Sequence, residues 1–245
     1  FFDSETEDIV YQTLQRMKKL RRYNQWVFSQ FRPFLGKRVL EIGSGIGNIT
    51  KFLLDRDLVI ATDLEPKYLN FLKETFGKYK KFIIEDFDIS GSEMERYGSC
   101  HIDSVICFNV LEHIEQDEKA LKNIFNLLEP GGRLLLFAPS HSWLYGTLDQ
   151  HLGHYRRYGK KELKNKLETI GFKVVFLRYF NRIGIWGWFF NSKILRRKRL
   201  PSFQLRIYNL LVPLFKLEKF LPLPFGTSLL AVAQKSARNQ NDGND

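Results

Sequence analysis

The chain has 245 residues, 44% of them hydrophobic, and a formal net charge of +11; that is ordinary globular content and length for one α/β domain with elaborations. The charge is uneven. Residues 1–150 hold 19 Lys and Arg against 22 Asp and Glu while residues 151–245 hold 19 against 5, which calls for an anionic partner of the C-terminal part: phosphate groups, nucleic acid or an acidic membrane face.

Cys100 and Cys107 are the only cysteines, so neither a disulfide framework nor a cysteine-built metal cluster is expected. The acidic start, Phe1 to Val10, does not resemble a secretory signal, and no stretch reaches the ~18 apolar residues that span a bilayer. A cytoplasmic chain is expected, with peripheral contact at the inner face of a membrane as a second station. It begins at Phe1 rather than Met, as a processed or excised piece would.

In chain order, Ser4 and Glu7 fit a capping box for a helix running to about Phe31, with Ile9, Val10, Leu14, Met17 and Leu20 at helical spacing. This segment is expected to lie over a ligand opening. Strand and helix patterns then alternate: strand 37–42, helix 47–55, strand 58–63, helix 66–76, strand 81–85 and strand 103–109. Pro66 suits the first helical position. A helix over 117–128 buries Ala120, Leu121, Ile124, Phe125 and Leu128 on one stripe, and Pro130-Gly131-Gly132 ends it before strand 133–138. After a polar, aromatic loop, 140–159, come a helix at 160–169, a strand at 172–179 and a last strand at 227–234. Such alternation means a doubly wound, mostly parallel sheet.

The residues that carry chemistry begin with Glu41-x-Gly43-Ser44-Gly45-x-Gly47, where an apolar strand runs into alternate glycines. A backbone without Cβ atoms lets a flat ligand approach closely, and a helix starting near Asn48 would face the same space. A dinucleotide fingerprint needs a glycine where this chain has Asn48, which argues against NAD. Twenty residues after Gly43, a second apolar run ends in Asp63, a carboxylate placed to accept both ribose hydroxyls.

Together with Glu85-Asp86-Phe87, Asn109-Val110-Leu111-Glu112-His113 and Leu128-Glu129-Pro130-Gly131-Gly132, these motifs resemble the class I S-adenosylmethionine-dependent methyltransferases over residues 37–140. Tyr145-Gly146, Asp149 and Gly153-His154-Tyr155-Arg156-Arg157-Tyr158 look like a subgroup often found beside or fused to glycosyltransferases. The resemblance implies a Rossmann-like α/β fold with a seven-stranded sheet and a reversed last strand. Its parts would be an N-terminal helical cover over 1–36, a methyltransferase core over 37–180, an inserted aromatic and basic helical cap over 181–225, the last core strand over 226–236 and a disordered tail over 237–245.

The cofactor implied is S-adenosylmethionine. By resemblance Gly43 and Gly45 let the backbone approach it, Glu41 orients its methionine end or the loop, Asp63 holds the ribose and Leu64 flanks the adenine. Ser44 and Gly47 belong to the same turn. Asp86 would bond the adenine amino group, Phe87 would offer apolar contact, and Asn109 ends the fourth strand at the ligand-binding edge. A surface acidic turn is the plainer reading of Asp86.

Candidates for proton transfer lie in the loop after the fifth strand: His141, Asp149, His151 and His154. A neutral imidazole takes a proton from an attacking hydroxyl, and Asp149 could orient it or bind the hydroxyl. His113 has a structural hydrogen bond as an equal alternative. No metal is expected, since cysteines and a paired acid pattern are lacking. Arg156 and Arg157, flanked by Tyr155 and Tyr158, could clamp a phosphate or carboxylate of the substrate, or lock the loop onto the domain's own acids.

Arg196-Arg197-Lys198-Arg199 follows Ile185-Trp186-Gly187-Trp188-Phe189-Phe190, a pairing that suits an anionic lipid interface; the favoured alternative is an ordinary cap with its tryptophans buried. The expected activity is methyl transfer to a small-molecule, glycan or lipid-linked acceptor, with oxygen as the receiving atom. The alternatives are an RNA-modifying methyltransferase and a noncatalytic adenosyl-ligand-binding module. Nucleic acid is the weaker partner, because neither a Pro-Pro-aromatic run after Asn109 nor a Pro-Cys nucleophile is present.

Overall fold

The computed structural model describes residues 4–220 and 223–237. Its first helices are α1 (Ser4–Lys18) and α2 (Arg21–Phe31). They lead into β1 (Arg38–Ile42), β2 (Leu58–Asp63), α3 (Pro66–Phe76), β3 (Phe82–Asp86), β4 (Ser104–Phe108), α4 (Asp117–Leu127) and β5 (Arg133–Pro139). Then come α5 (Thr147–His151), α6 (Lys160–Ile170), β6 (Phe172–Phe180), α7 (Gly184–Phe189), α8 (Ser202–Phe215) and β7 (Ser228–Lys235). The strands form one seven-stranded sheet in the order β3-β2-β1-β4-β5-β7-β6. Strands β1 to β5 are parallel, and β7 runs antiparallel between β5 and β6.

The central strands are apolar on both faces because helices cover both. Leu40, Val105, Leu134 and Leu136 face a cluster with Ala120, Leu121, Ile124 and Leu163 from α4 and α6. Val39, Ile106, Leu135 and Val232 face the opposite cluster with Val27, Phe31, Leu72 and Val212 from α2, α3 and α8. Because β1 is flanked by β2 on one side and β4 on the other, the chain leaves it in one direction and returns in the other. The carboxyl ends of β1, β2 and β4 therefore border the crevice where open α/β sheets bind ligands.

Two helices differ from expectation. The single N-terminal helix is two, because Lys19 and Leu20 close α1 with bonds to Arg16 and Met17. Leu20 turns inward, and the buried Asn24 amide caps the Met17 carbonyl at 2.8 Å. The helix over 47–55 does not form; residues 46–49 are turns, followed by one 3-10 turn at Thr50–Phe52. Gly47 is left-handed at φ +77°, Ile49 and Thr50 are β-branched, poor helix formers, and the Thr50 hydroxyl is committed to Glu41. The anion-attracting helix end imagined there is therefore absent, and the turn works through its backbone alone.

The loop over 140–159 contains α5, and the segment between β6 and β7 folds as α7, a π turn at Phe190–Ile194 and α8. Of the two tryptophans expected to be buried in the cap, Trp186 is 70% exposed, while Trp188 is half-buried with its ring against Arg157. No helix among the described residues is long and apolar enough to cross a membrane. From residue 238 onward the expected tail lies outside the described residues.

Candidate active site

The glycine turn leaves β1 with Gly43 at φ +67° and Gly45 at φ +54°, conformations that side chains resist. A Cβ on Gly43 would lie 2.4 Å from the Val110 methyl, so the turn and the loop after β4 form a tight cradle. Ser44 N–H donates to the Thr62 carbonyl at 2.8 Å, and Gly45 N–H donates to Asp63 Oδ2 at 2.7 Å. Asp63 Oδ1 accepts from Glu65 N–H at 3.1 Å. Burial pushes the Asp63 carboxyl above its usual range against the pull of these amides. Asp63 thus ties the turn to the end of β2 while remaining at the crevice edge. Gly47 serves packing instead. A Cβ there would meet the Phe76 ring at 2.6 Å, so this glycine lets α3 approach rather than admitting a ligand.

Glu41 points beneath the turn. It is buried and accepts from the Thr50 hydroxyl at 2.6 Å, which corresponds to the loop-orienting half of its expected role. Burial raises its pKa from 4.5 to about 7, opposed by the Thr50 and Ser44 hydroxyls. Because the folded value lies above the unfolded one, the stability it confers is full below pH 4.5 and is lost as pH rises through about 7. Glu41→Gln is expected to keep the Thr50 bond and to remove part of this decline, stabilising the fold at pH 8 by on the order of 1–3 kcal/mol. Melting curves at pH 5 and pH 8 check it; an unchanged difference between the two would show that Glu41 ionises without cost.

Along the same edge Leu64 is 43% exposed, as an adenine-flanking residue would be. Asp86 is exposed and pairs in register with Asp63. Asn109 is exposed, with φ +53° and its N–H on the Phe137 carbonyl at 2.7 Å. Phe87 corrects an expectation: its ring is buried edge-on against Tyr97 at 4.8 Å and offers no face to a ligand. Helix α1 lies over the turn, with Leu14 against Gly45, Asn48 Nδ2 donating to the Leu14 carbonyl at 3.1 Å and Tyr11 stacked on Tyr68. Lys67 pairs with Glu7 across the same contact.

These residues fit an adenosyl ligand. Two carboxylates, Asp63 and Asp86, stand side by side at the strand ends, the left-handed glycine turn meets only the Val110 and Leu14 side chains at the Cβ directions of Gly43 and Gly45, and among the described residues Tyr68 Oη is buried without a hydrogen-bond partner in the field of Asp63. Asp63 and Asp86 would hold its hydroxyl and amino groups, with Gly43 and Gly45 against its body.

A second cluster occupies the loops after β4 and β5. The wholly buried Asp149 accepts from His154 Nδ1 at 2.9 Å, from Arg157 Nε at 2.8 Å and from Gly146 N–H at 3.0 Å. Burial would raise its pKa, but His154 and the Arg157 charge hold it below the usual carboxylate value. His154 meets the His113 ring edge-on at 4.7 Å. Burial, with the His154 charge, pushes His113 down to about 3, so His113 stays neutral. His141 makes no side-chain hydrogen bond to this network among the described residues; it stacks on Tyr179 at 4.7 Å. His151 Nδ1 bonds the Thr147 carbonyl at 2.7 Å.

The substrate clamp expected of Arg156, Arg157 and Tyr158 is corrected. Arg156 bonds the Glu115 carbonyl at 2.7 Å and Asp117 at 3.0 Å. Arg157 is buried between Asp149, the Ser140 carbonyl and the Trp188 ring. Tyr158 is fully buried and donates to Asp117 at 2.8 Å. All three lock the loop onto the domain's own acids, as the alternative reading of this run had it. Sequence reasoning missed Glu112, which is wholly buried behind His113; a carboxylate inside an otherwise apolar strand-end motif was the available signal.

Residues 40–134 match the model of a methyltransferase domain. The rat thiol S-methyltransferase TMT1B is 26% identical over 130 residues, covering 51% of this chain and 53% of that protein. A highly reducing polyketide synthase, stpks1 of Strobilurus tenacellus, is 33% identical over 118 residues, 44% of this chain and 4% of the synthase. The chain spans about half of the first relative and a small part of the second. Among solved structures, an S-adenosylmethionine-dependent methyltransferase from Mesorhizobium loti aligns over 86% of this chain and 97% of that one, with a TM-score of 0.59 at 14% identity. The fold is the Rossmann-like class I methyltransferase fold, and with the matched domain it implies S-adenosylmethionine as cofactor.

Proposed function

We propose that this protein transfers a methyl group from S-adenosylmethionine to an oxygen of a lipid-linked or other small acceptor, working against an anionic membrane surface. The observation that carries the reading is the coincidence of the glycine turn, Asp63 and Asn109 at the sheet's switch point with the stretch that matches a methyltransferase domain. The cofactor supplies a methyl group activated on a sulfonium. What remains for the chain itself is to hold an acceptor oxygen in line and to exclude water. His154, oriented through Nδ1 by Asp149, is the residue we take to accept the hydroxyl proton. Helix α1 covers the glycine turn, so its withdrawal admits the cofactor.

The membrane part rests on α8. Phe203, Ile207, Leu210, Leu214, Leu217 and Phe220 form one outward stripe along the helix and the turn after it, with Phe203 72% and Phe220 69% exposed. The opposite stripe, Val212 and Phe215, already serves the core. Exposed Arg206, Lys216 and Lys219 flank the outer stripe, and Trp186 lies exposed nearby in sequence. An apolar stripe edged by basic residues matches acidic headgroups over acyl chains. The likeness of the Tyr145–Tyr158 motifs to methyltransferases found beside glycosyltransferases adds support for a glycan or lipid-linked acceptor.

Incubating the protein with isotopically labelled methyl donor and a cell membrane extract is expected to label a lipid-soluble product by mass spectrometry. Vesicles containing anionic lipid should retain the protein, and neutral vesicles should not. Retention by RNA instead, at moderate salt, would move the reading to RNA modification. Cofactor binding with no labelled product from any fraction would leave only the noncatalytic module.

A further inference from the structure

We propose that Glu112, His113 and His154 form a binding site for a divalent first-row transition-metal ion. One ligand atom from each residue lies within 4.8 Å of the others, although Glu112 and His113 follow β4 and His154 follows β5. Glu112 carries the inference. It is 0% exposed, yet among the described residues neither carboxylate oxygen meets a hydrogen-bond donor from another residue. A buried carboxylate is ordinarily paired, hydrogen-bonded or bound to a metal; here it lies within ligand distance of two imidazoles, with the Arg157 charge also acting on it.

The surroundings are those of a ligand set. His154 Nδ1 bonds Asp149 Oδ1 at 2.9 Å, which fixes the ring and leaves Nε2 as its coordinating atom, the arrangement that orients metal-bound histidines. Asp149 is in turn held by Arg157 and Gly146. The His113 ring meets the His154 ring edge-on at 4.7 Å. Two imidazole nitrogens with one carboxylate favour zinc, manganese or iron over magnesium or calcium, which prefer oxygen. Ligands about 2.1 Å from one tetrahedral ion stand about 3.4 Å apart, so seating the ion draws the cluster in by up to about 1.4 Å from its present spacing. Three protein ligands leave coordination positions open. With an ion seated, His154 Nε2 would be a ligand and no longer a proton acceptor.

The site stands independently of methyl transfer, and so does its test. Chelator-stripped full-length protein is titrated with ZnCl2 and with MnCl2 by calorimetry, and its bound metal is counted by elemental analysis. One ion per chain is expected, with affinity reduced at least a hundredfold in Glu112→Gln and in His154→Gln. Asp149→Asn, which loosens the hold on His154 and also removes the charge paired with Arg157, should weaken binding roughly ten- to a hundredfold in protein that still melts cooperatively. His101→Gln, at the exposed His101–Glu129 pair, should leave it unchanged. Should the buried variants fail to fold, the visible spectrum of Co2+ bound to the native chain reports nitrogen and oxygen ligation directly. Absence of binding by a cooperatively melting native chain, or equal binding by folded Glu112→Gln and His154→Gln, overturns the proposal and leaves a protonated carboxyl in a structural network. In that outcome the proton-accepting role of His154 stands.

Discussion

Asp63→Ala is expected to lower affinity for S-adenosylmethionine by at least a hundredfold, about 2.7 kcal/mol, while the chain stays folded. Two losses combine. The carboxylate is the acceptor for Gly45 N–H at 2.7 Å and Glu65 N–H at 3.1 Å, so its removal frees a turn whose glycines have the widest conformational choice and leaves two amides without acceptors. It also removes the charged acceptor at the crevice edge that would meet the ribose hydroxyls. Asp63→Asn separates the effects, since one amide oxygen can still take the Gly45 N–H while the NH2 group faces the other donor. An intermediate loss is expected there. Calorimetry with the cofactor and with its demethylated product measures both variants, and unchanged affinity in Asp63→Ala would remove Asp63 from the ligand's contacts.

The sheet was legible because strands buried on both faces must be apolar throughout, and Arg38–Ile42, Leu58–Asp63 and Ser104–Phe108 are nearly so. The glycine turn was legible for the complementary reason, since alternate glycines are costly unless the backbone needs left-handed conformations. The same glycines made the following helix illegible: Ile49 and Leu53 keep helical spacing, but left-handed Gly47 and the Thr50–Glu41 bond are facts of the fold. The break at Leu20 depends on where that side chain is buried, which local pattern does not carry. Arg157 and Tyr158 were misjudged because a charged, aromatic run resembles a surface clamp until Asp149 and Asp117 are seen beneath it. Glu112 and His154 come together only through the parallel pairing of β4 with β5, and a tertiary juxtaposition leaves no spacing to read.

Asp149→Ala is expected to destabilise the fold by about 3–5 kcal/mol, the usual cost of stranding one partner of a buried ion pair. Arg157 has a side chain only 1% exposed; its remaining contacts are the uncharged Ser140 carbonyl and Trp188 ring, with the field of Glu112 a smaller contribution than that of Asp149. The Gly146 amide and His154 Nδ1 lose their acceptor as well. If the pair is the unit of energy, Arg157→Met alone should be similarly costly, since it strands the carboxylate instead. The double variant, Asp149→Ala with Arg157→Met, should then recover at least about 2 kcal/mol of the summed loss, because replacing both charges by apolar groups strands neither charge, although the Gly146 amide and His154 Nδ1 still lack their acceptor. Denaturant melts of the four proteins close the cycle. Additive losses would mean that the two side chains act separately, with the loop held by its backbone bonds from Tyr155 to Glu112 and from Tyr158 to Pro139. A large coupling would mean that the charge pair is the unit that holds the loop.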